Sequence, residues 1–209
     1  MSIEGDLEKM KRIFACFNKE NISMEEMGVT NNEVNQGKRP TLVDINIDTK
    51  GKTALIVAAK YGRHHMCDYL ITKERASLEA RDYIQQTALI RAAKSSKLEV
   101  IRVLLQYNAN VKAKDKHGRH ATYWAAYHGD LDVLKMLVKK DKDVIDLRGN
   151  NGKTPLIVAS ICGRADICEY LVVQQNANVE LKDKWGKTAL QYTYNPDIIK
   201  IIEKEGLNK

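Results

Sequence analysis

Apolar residues recur along this chain in paired blocks. The first block of each pair is a near-continuous run behind a threonine or its substitute. It reads Ala54-Leu55-Ile56-Val57-Ala58-Ala59 after Thr53, and Ala88-Leu89-Ile90 with Ala92-Ala93 after Thr87. It returns as Ala121 with Trp124-Ala125-Ala126 after His120, and as Pro155-Leu156-Ile157-Val158-Ala159-Ser160 after Thr154. A shortened copy, Thr188-Ala189-Leu190, closes the series. The second block is sparser: Leu98, Ile101, Leu104, Leu105; then Leu131, Leu134, Leu137, Val138; then Ala165, Cys168, Leu171, Val172. These offsets fall on one face of a helix. Each pair therefore predicts two helices. The first opens on a threonine that can accept a backbone N–H, and Pro155 fits the first helical position, where its missing donor is not needed. The small pairs, such as Ala58-Ala59 and Ala159-Ser160, let that helix approach its neighbours closely.

Polar segments such as Asn108-Ala109-Asn110-Val111 and Asn176-Ala177-Asn178-Val179 separate the pairs and lead to an aspartate at 48, 82, 115 or 183, which reads as a turn into a hairpin. The threonine position falls at 53, 87, 120, 154 and 188, a period of 34, 33, 34 and 34 residues. A fixed period in this range means a stacked repeat array. Helix, turn, helix and hairpin at this period, with starts such as Gly152-Lys153-Thr154-Pro155-Leu156 and Gly51-Lys52-Thr53-Ala54-Leu55, resembles the ankyrin repeat family over roughly residues 42–209.

The resemblance implies an all-α fold with short β-hairpin turns, an ankyrin-repeat solenoid of about four full repeats at 48–81, 82–114, 115–148 and 149–182, with a C-terminal capping repeat at 183–209. Residues 1–47 are expected to supply the other end. There Leu7, Met10, Ile13 and Phe14 repeat the helical stripe and predict a capping half-repeat, since an open stack would expose an apolar face. About 23 extra residues follow, roughly 19–41, read as a surface loop with a contact loop as the sharper alternative. Three irregularities stand out. Gln85 and Ser96 replace glycines, which requires either strain or a different turn geometry. His120 and Thr122 stand where threonine and leucine are usual, and Trp124 beside them is expected in the core. Asn195-Pro196 should end the first helix of the last repeat early, with Ile198, Ile199, Ile201 and Ile202 forming a final short helix that reads as a cap.

Candidate chemistry changes this picture little. Cys16, Cys67, Cys162 and Cys168 show no Cys-x-x-Cys spacing and read as free thiols, with Cys67 and Cys168 at one core position of two repeats. Cys162 is expected to be partly exposed and is the cysteine to test for reactivity. His64 and His65 diverge as neighbours on a helix, and His117 and His120 suit surface and cap roles better than metal ligation. No phosphate loop, zinc helix or nucleophile elbow is present, so no catalytic residue, metal or cofactor is assigned. No apolar run approaches the roughly 18 residues of a membrane span, and Met1–Asp6 lacks the layout of a secretory signal. The expected location is the cytoplasm, with the nucleus as the alternative.

Charge adds a candidate surface. The resemblance implies that hairpin tips and the exposed ends of the first helices line a concave binding face. Those positions hold Lys50, Lys52, Lys60, Tyr61 and Arg81; Tyr83, Lys94 and Lys114; Lys116, His117, Arg119, Tyr127, His128 and Arg148; Lys153 and Lys182; and Lys184, Trp185 and Lys187. They contain 13 of the 34 Lys and Arg and no Asp or Glu, which leaves 21 basic against 27 acidic residues elsewhere. Such segregation attracts an acidic partner and raises its association rate. The expected function is a noncatalytic module, monomeric when unbound, that takes an acidic protein segment on this face with Tyr61, Tyr83, Tyr127 and Trp185 as anchors. Nucleic-acid or phosphorylated-ligand binding by the same groove is the alternative, as is the regulatory subunit of an enzyme. Lys116 and Arg119 are both expected to be exposed.

Overall fold

The computed structural model describes residues 52–206. The expected N-terminal half-repeat, the 19–41 insertion and Lys50 lie outside the described residues. The chain divides into two compact units, one ending at Ala109 and the other beginning at Asn110.

In the first unit, α1 (Ala54–Tyr61) and α2 (His64–Thr72) form one helix pair, and α3 (Ala88–Lys94) and α4 (Leu98–Gln106) form the next. Helix α1 packs on α3, and α2 on α4, so the pairs stack in register. In the second unit, α5 (Ala121–His128) and α6 (Leu131–Lys140) are followed by a 3-10 turn at Lys142–Val144. Then come α7 (Pro155–Ile161) and α8 (Ala165–Glu169), which continues as a π-helical stretch over Tyr170–Gln174. A 3-10 turn at Leu190–Tyr192 and α9 (Pro196–Gly206) end the unit. Helix α5 packs on α7, and α9 closes against α8 and its extension.

The first helix of each pair starts as the threonine phrase dictates. Thr53, Thr87 and Thr154 hold extended backbone, and each side chain accepts a hydrogen bond from the amide three residues on, at 3.4, 3.4 and 3.3 Å. Such a cap contributes about 1 kcal/mol. The alanine pairs at 58–59, 92–93 and 125–126 are completely buried, which lets adjacent first helices approach through backbone-sized contacts.

The second helices depart slightly from the expected stripe. Leu98, Leu131 and Ala165 are half-buried, whereas Val100, Val133 and Ile167 are buried with the rest of each stripe. Side chains on a helix lean toward its N-terminus, so the first residue of the helix leans past the stack rather than into it.

Gln85 and Ser96 keep the left-handed backbone that glycine holds elsewhere, with φ of 61° and 53°. Of the two expected alternatives, strain is the one realised, at about 1–2 kcal/mol each. The hairpins carry no β-strand among the described residues. Each is a turn closed by two backbone bonds, as where Asp115 N–H donates to Arg119 C=O and Gly118 N–H to Asp115 C=O. In the last repeat the first helix shrinks to the turn at Leu190–Tyr192, and Pro196 opens the following helix instead of merely ending the one before. Asn195 caps that helix by accepting from the Asp197 amide at 2.9 Å.

Candidate functional site

The hairpin tips are built around buried carboxylates. Asp82, Asp115 and Asp183 are each buried. Oδ1 of Asp115 accepts from the amides of His117 and Arg119, both at 2.9 Å. Asp82 does the same for Ile84 and Gln86, at 3.0 and 2.8 Å, and Asp183 for Trp185 and Lys187, at 2.9 and 3.1 Å. Two amides aimed at one carboxylate oxygen hold the turn rigid and present the intervening side chains outward. The second oxygen takes a further partner: Arg91 at 2.6 Å in one hairpin, Arg119 at 2.9 Å in the next, and the Tyr192 hydroxyl at 2.5 Å in the last. Asp82 and Asp115 are thus paired with Arg91 and Arg119, whereas Asp183 has a neutral hydroxyl partner and the Lys153 ammonium 4.0 Å away.

The predicted cations divide into engaged and outward-facing groups. In the C-terminal unit Lys116, Lys182, Lys184 and Lys187 are exposed, as are His117 and Tyr127. Arg119 is not exposed as expected: its guanidinium is clamped on the buried Asp115 and lies 4.8 Å from the centre of the Trp124 ring. The sequence places arginine four residues after the aspartate, and that spacing is what brings the two together. Lys153 is also half-buried, 4.0 Å from Asp183 and 4.3 Å over the Tyr192 ring. Burial lowers the Lys153 pKa from the ordinary lysine value, an effect the Asp183 carboxylate partly offsets. Burial alone would raise the Asp183 carboxyl, but hydrogen bonds from Tyr192 and from the Lys187 and Trp185 amides outweigh it and hold the pKa low. Lys114 donates to the Arg148 carbonyl at 2.7 Å, and Arg148 in turn donates to the Lys182 carbonyl, so both brace one hairpin on the next. His128 is half-buried and stacks on Trp124 at 6.0 Å.

Between these tips and the first helices lies a pocket of about 340 Å³. Arg119, Lys153 and His117 line it together with Tyr123, Tyr127 and Ile161, and no Asp or Glu is among its lining residues. Tyr123 and Tyr127, one helical turn apart on α5, lie with ring planes 8° from parallel and centres 6.4 Å apart. Tyr127 and Ile161 are each 44% exposed, and Trp185 beyond them is 55% exposed, with Lys184 4.4 Å from its ring centre. Cations held over and beside exposed aromatic faces can receive an anion together with an apolar side chain. Trp124, by contrast, is buried in the core as expected. Tyr123 lines the pocket and Tyr192 lies against Lys153, and neither is among the expected anchors. The i, i+4 spacing of Tyr123 and Tyr127 on one helix was the signal for the first.

Cys162 also lines the pocket and is half-buried. Burial pushes its thiol above the ordinary value, against the pull of Arg164 and Lys153, so it is not activated. Cys67 and Cys168 are buried, and burial pushes Cys168 up to about 12. His120 is buried as a helix cap, and no group of three metal-ligating side chains exists among the described residues.

The N-terminal unit carries its own share of the predicted set. Lys60 donates to the Tyr61 hydroxyl at 2.9 Å and lies 4.4 Å from that ring's centre. Tyr83 is 65% exposed at its hairpin tip, and Arg81 donates to the Gln85 carbonyl at 3.2 Å. Lys52 and Lys94 are half-buried.

Comparison with known proteins agrees with this architecture. The family model described as ankyrin repeats (three copies) matches residues 13–115 and 122–208. Protein fem-1 homolog A-like of Mus musculus is 30% identical over 112 residues, 54% of this chain and 17% of that protein. Neurogenic locus notch homolog protein 1 of Homo sapiens is 30% identical over 131 residues, 61% of this chain and 5% of that protein. Putative ankyrin repeat protein YahD of Escherichia coli (strain K12) is 25% identical over 154 residues, 71% of this chain and 76% of that protein. The chain thus spans a small fraction of the first two relatives and about three quarters of the third. Ankyrin repeats mediate protein–protein interaction and are typically noncatalytic. No helix among the described residues is long and apolar enough to cross a membrane. With stacked helix pairs, capped first helices and a family match over most of its length, the chain belongs to the ankyrin-repeat proteins.

Proposed function

We propose that this protein is a noncatalytic binding module that takes an acidic protein segment on the hairpin tips and first-helix ends of its repeats. The observation that carries the reading is the pocket of the C-terminal unit, whose lining combines Lys153 and His117 with two tyrosines and no acidic side chain, beside an Arg119 already paired with Asp115. Lys116, Lys184 and Lys187 extend the positive field outward, and long-range attraction sets the association rate. Tyr127 and Trp185 supply rigid, partly apolar area, the kind of contact on which binding energy concentrates. The Lys60 and Tyr61 pair of the N-terminal unit offers the same chemistry to the same class of partner.

Affinity capture from native lysate, with and without nuclease, tests the reading. The wild type is run beside a variant carrying Lys116→Glu and Lys184→Glu, both exposed positions. The proposal expects proteins that survive nuclease on the wild type and are lost from the variant. Loss of everything on nuclease treatment would replace it with nucleic-acid binding, and equal capture by both proteins would remove these tips from the interface.

A further inference from the structure

The four hairpins of the described chain share one backbone. In each, the first residue's N–H donates to the carbonyl four residues on, and the fourth residue's N–H returns to the first carbonyl. Position four is left-handed throughout, with φ of 61° at Gln85, 75° at Gly118, 73° at Gly152 and 75° at Gly186. Three hairpins begin with an aspartate whose Oδ1 receives the amides of residues three and five. The remaining one begins with Gly149. Because its backbone bonds match, its amides at Asn151 and Lys153 are aimed at the place where its sisters hold a carboxylate oxygen, and among the described residues no acceptor meets them. Gly149, Asn151 and Lys153 all line the pocket, so this hairpin forms part of its wall. Lys153 follows the glycine by four residues, as Arg119 follows the aspartate whose second oxygen it binds.

From this we infer that the hairpin 149–153 is a carboxylate subsite, completed by an Asp or Glu side chain of the partner segment where the sister repeats use their own aspartate. The inference rests on the acidic-segment reading and names its anchor. Two converging amides form a concave nest for an anion, and charge-assisted bonds of this kind are about twice as strong as neutral ones. The wall formed by Tyr127 and Ile161 favours an apolar neighbour beside that acid.

The test installs the missing group. Gly149→Asp supplies the carboxylate internally, while Gly149→Ala supplies only the Cβ, which would lie 3.1 Å from the Gly118 carbonyl oxygen and needs a small adjustment in both variants. The probes are a doubly blocked peptide, acetyl-Gly-Leu-Asp-Leu-Gly-amide, and its twin with Asn for Asp. Each is followed by amide NMR shifts at constant ionic strength, with inorganic phosphate as a third arm. The expected result is saturable movement of the Asn151 and Lys153 amides by the Asp peptide in wild type and Gly149→Ala. Binding should be at least about tenfold weaker for the Asn twin and for Gly149→Asp, the loss expected from one charge-assisted contact. Equal binding of the two peptides by the wild type, or undiminished binding by Gly149→Asp, would overturn the subsite. Tighter saturation by phosphate would overturn its assignment to a carboxylate. If the Asp peptide moves the amides of His117, Trp185 and Lys187 but not those of Asn151 and Lys153, the acidic-segment reading survives and the subsite falls. If no amide moves, both fall.

Discussion

His120 gives the fold a dependence on pH that a threonine there would not. It occupies the cap position held by Thr53, Thr87 and Thr154, and its Nδ1 accepts from the Tyr123 amide at 3.1 Å and faces the Thr122 hydroxyl at 2.5 Å. An Nδ1 that accepts must carry no proton, so the neutral ring is protonated on Nε2, which lies toward the Leu147 carbonyl outside close hydrogen-bonding geometry. Burial, with a smaller contribution from Lys114, lowers the His120 pKa from 6.5 to about 4, while the Leu147 carbonyl and Asp115 oppose the shift. The unfolded chain therefore binds more protons than the folded one between those values. Stability is complete above pH 6.5, falls as pH drops through 6.5, and stops falling below about 4. Between pH 7 and pH 5 this one side chain should remove about 2 kcal/mol, and about 3 kcal/mol by pH 4. His120→Asn keeps an acceptor at the cap and cannot titrate. Urea unfolding followed by circular dichroism, on wild type and variant at pH 7 and pH 5, isolates the difference, because the other titrating groups are common to both. At a typical urea slope, 2 kcal/mol moves the midpoint by about 1 M. Equal losses in the two proteins over this interval would refute the assignment of a buried, neutral His120, whatever the variant's stability at pH 7.

Other consequences are simpler. Arg119→Glu should destabilise the C-terminal unit by about 3 kcal/mol or more, seen as a lower thermal midpoint, since it sets a second carboxylate against the buried Asp115; Lys116→Glu, on an exposed side chain, should leave the midpoint within about 0.5 kcal/mol of wild type. Gln85→Gly should raise the unfolding free energy by about 0.5–1 kcal/mol, because a φ of 61° costs glycine nothing, and a lower value would mean the side chain repays the strain. Cys162 should react with iodoacetamide more slowly than free cysteine at pH 8, given a pKa raised by burial, and an equal or faster rate would contradict that environment.

Much of the fold was legible because each feature is local and repeated. The threonine phrase encodes a cap, the small pair encodes close approach, and the second stripe encodes a helix face; the structure keeps all three, with the stripe shifted at its first position by the lean of side chains in the opening turn. The candidate surface was less legible. Sequence offsets put Arg119 at a tip, but they do not say whether a long side chain reaches outward or folds back onto a carboxylate four residues away, and here it folds back. Lys153 shows the same limit, since its ammonium lies 4.0 Å from Asp183 of the next hairpin. The Gly149 substitution was visible in the sequence at the position of Asp82, Asp115 and Asp183. Its meaning was not, because it depends on all four hairpins sharing one backbone geometry. The regular helical phrase of that repeat concealed the missing aspartate before it.

The most direct test of the central claim is the composition of peptides that the protein selects from a random displayed library, with the wild type run beside the Lys116→Glu, Lys184→Glu variant. The account predicts recovered sequences enriched in Asp and Glu next to apolar residues, with that enrichment lost in the variant. Selection of neutral or basic sequences by the wild type, or the same acidic sequences by both proteins, would contradict it.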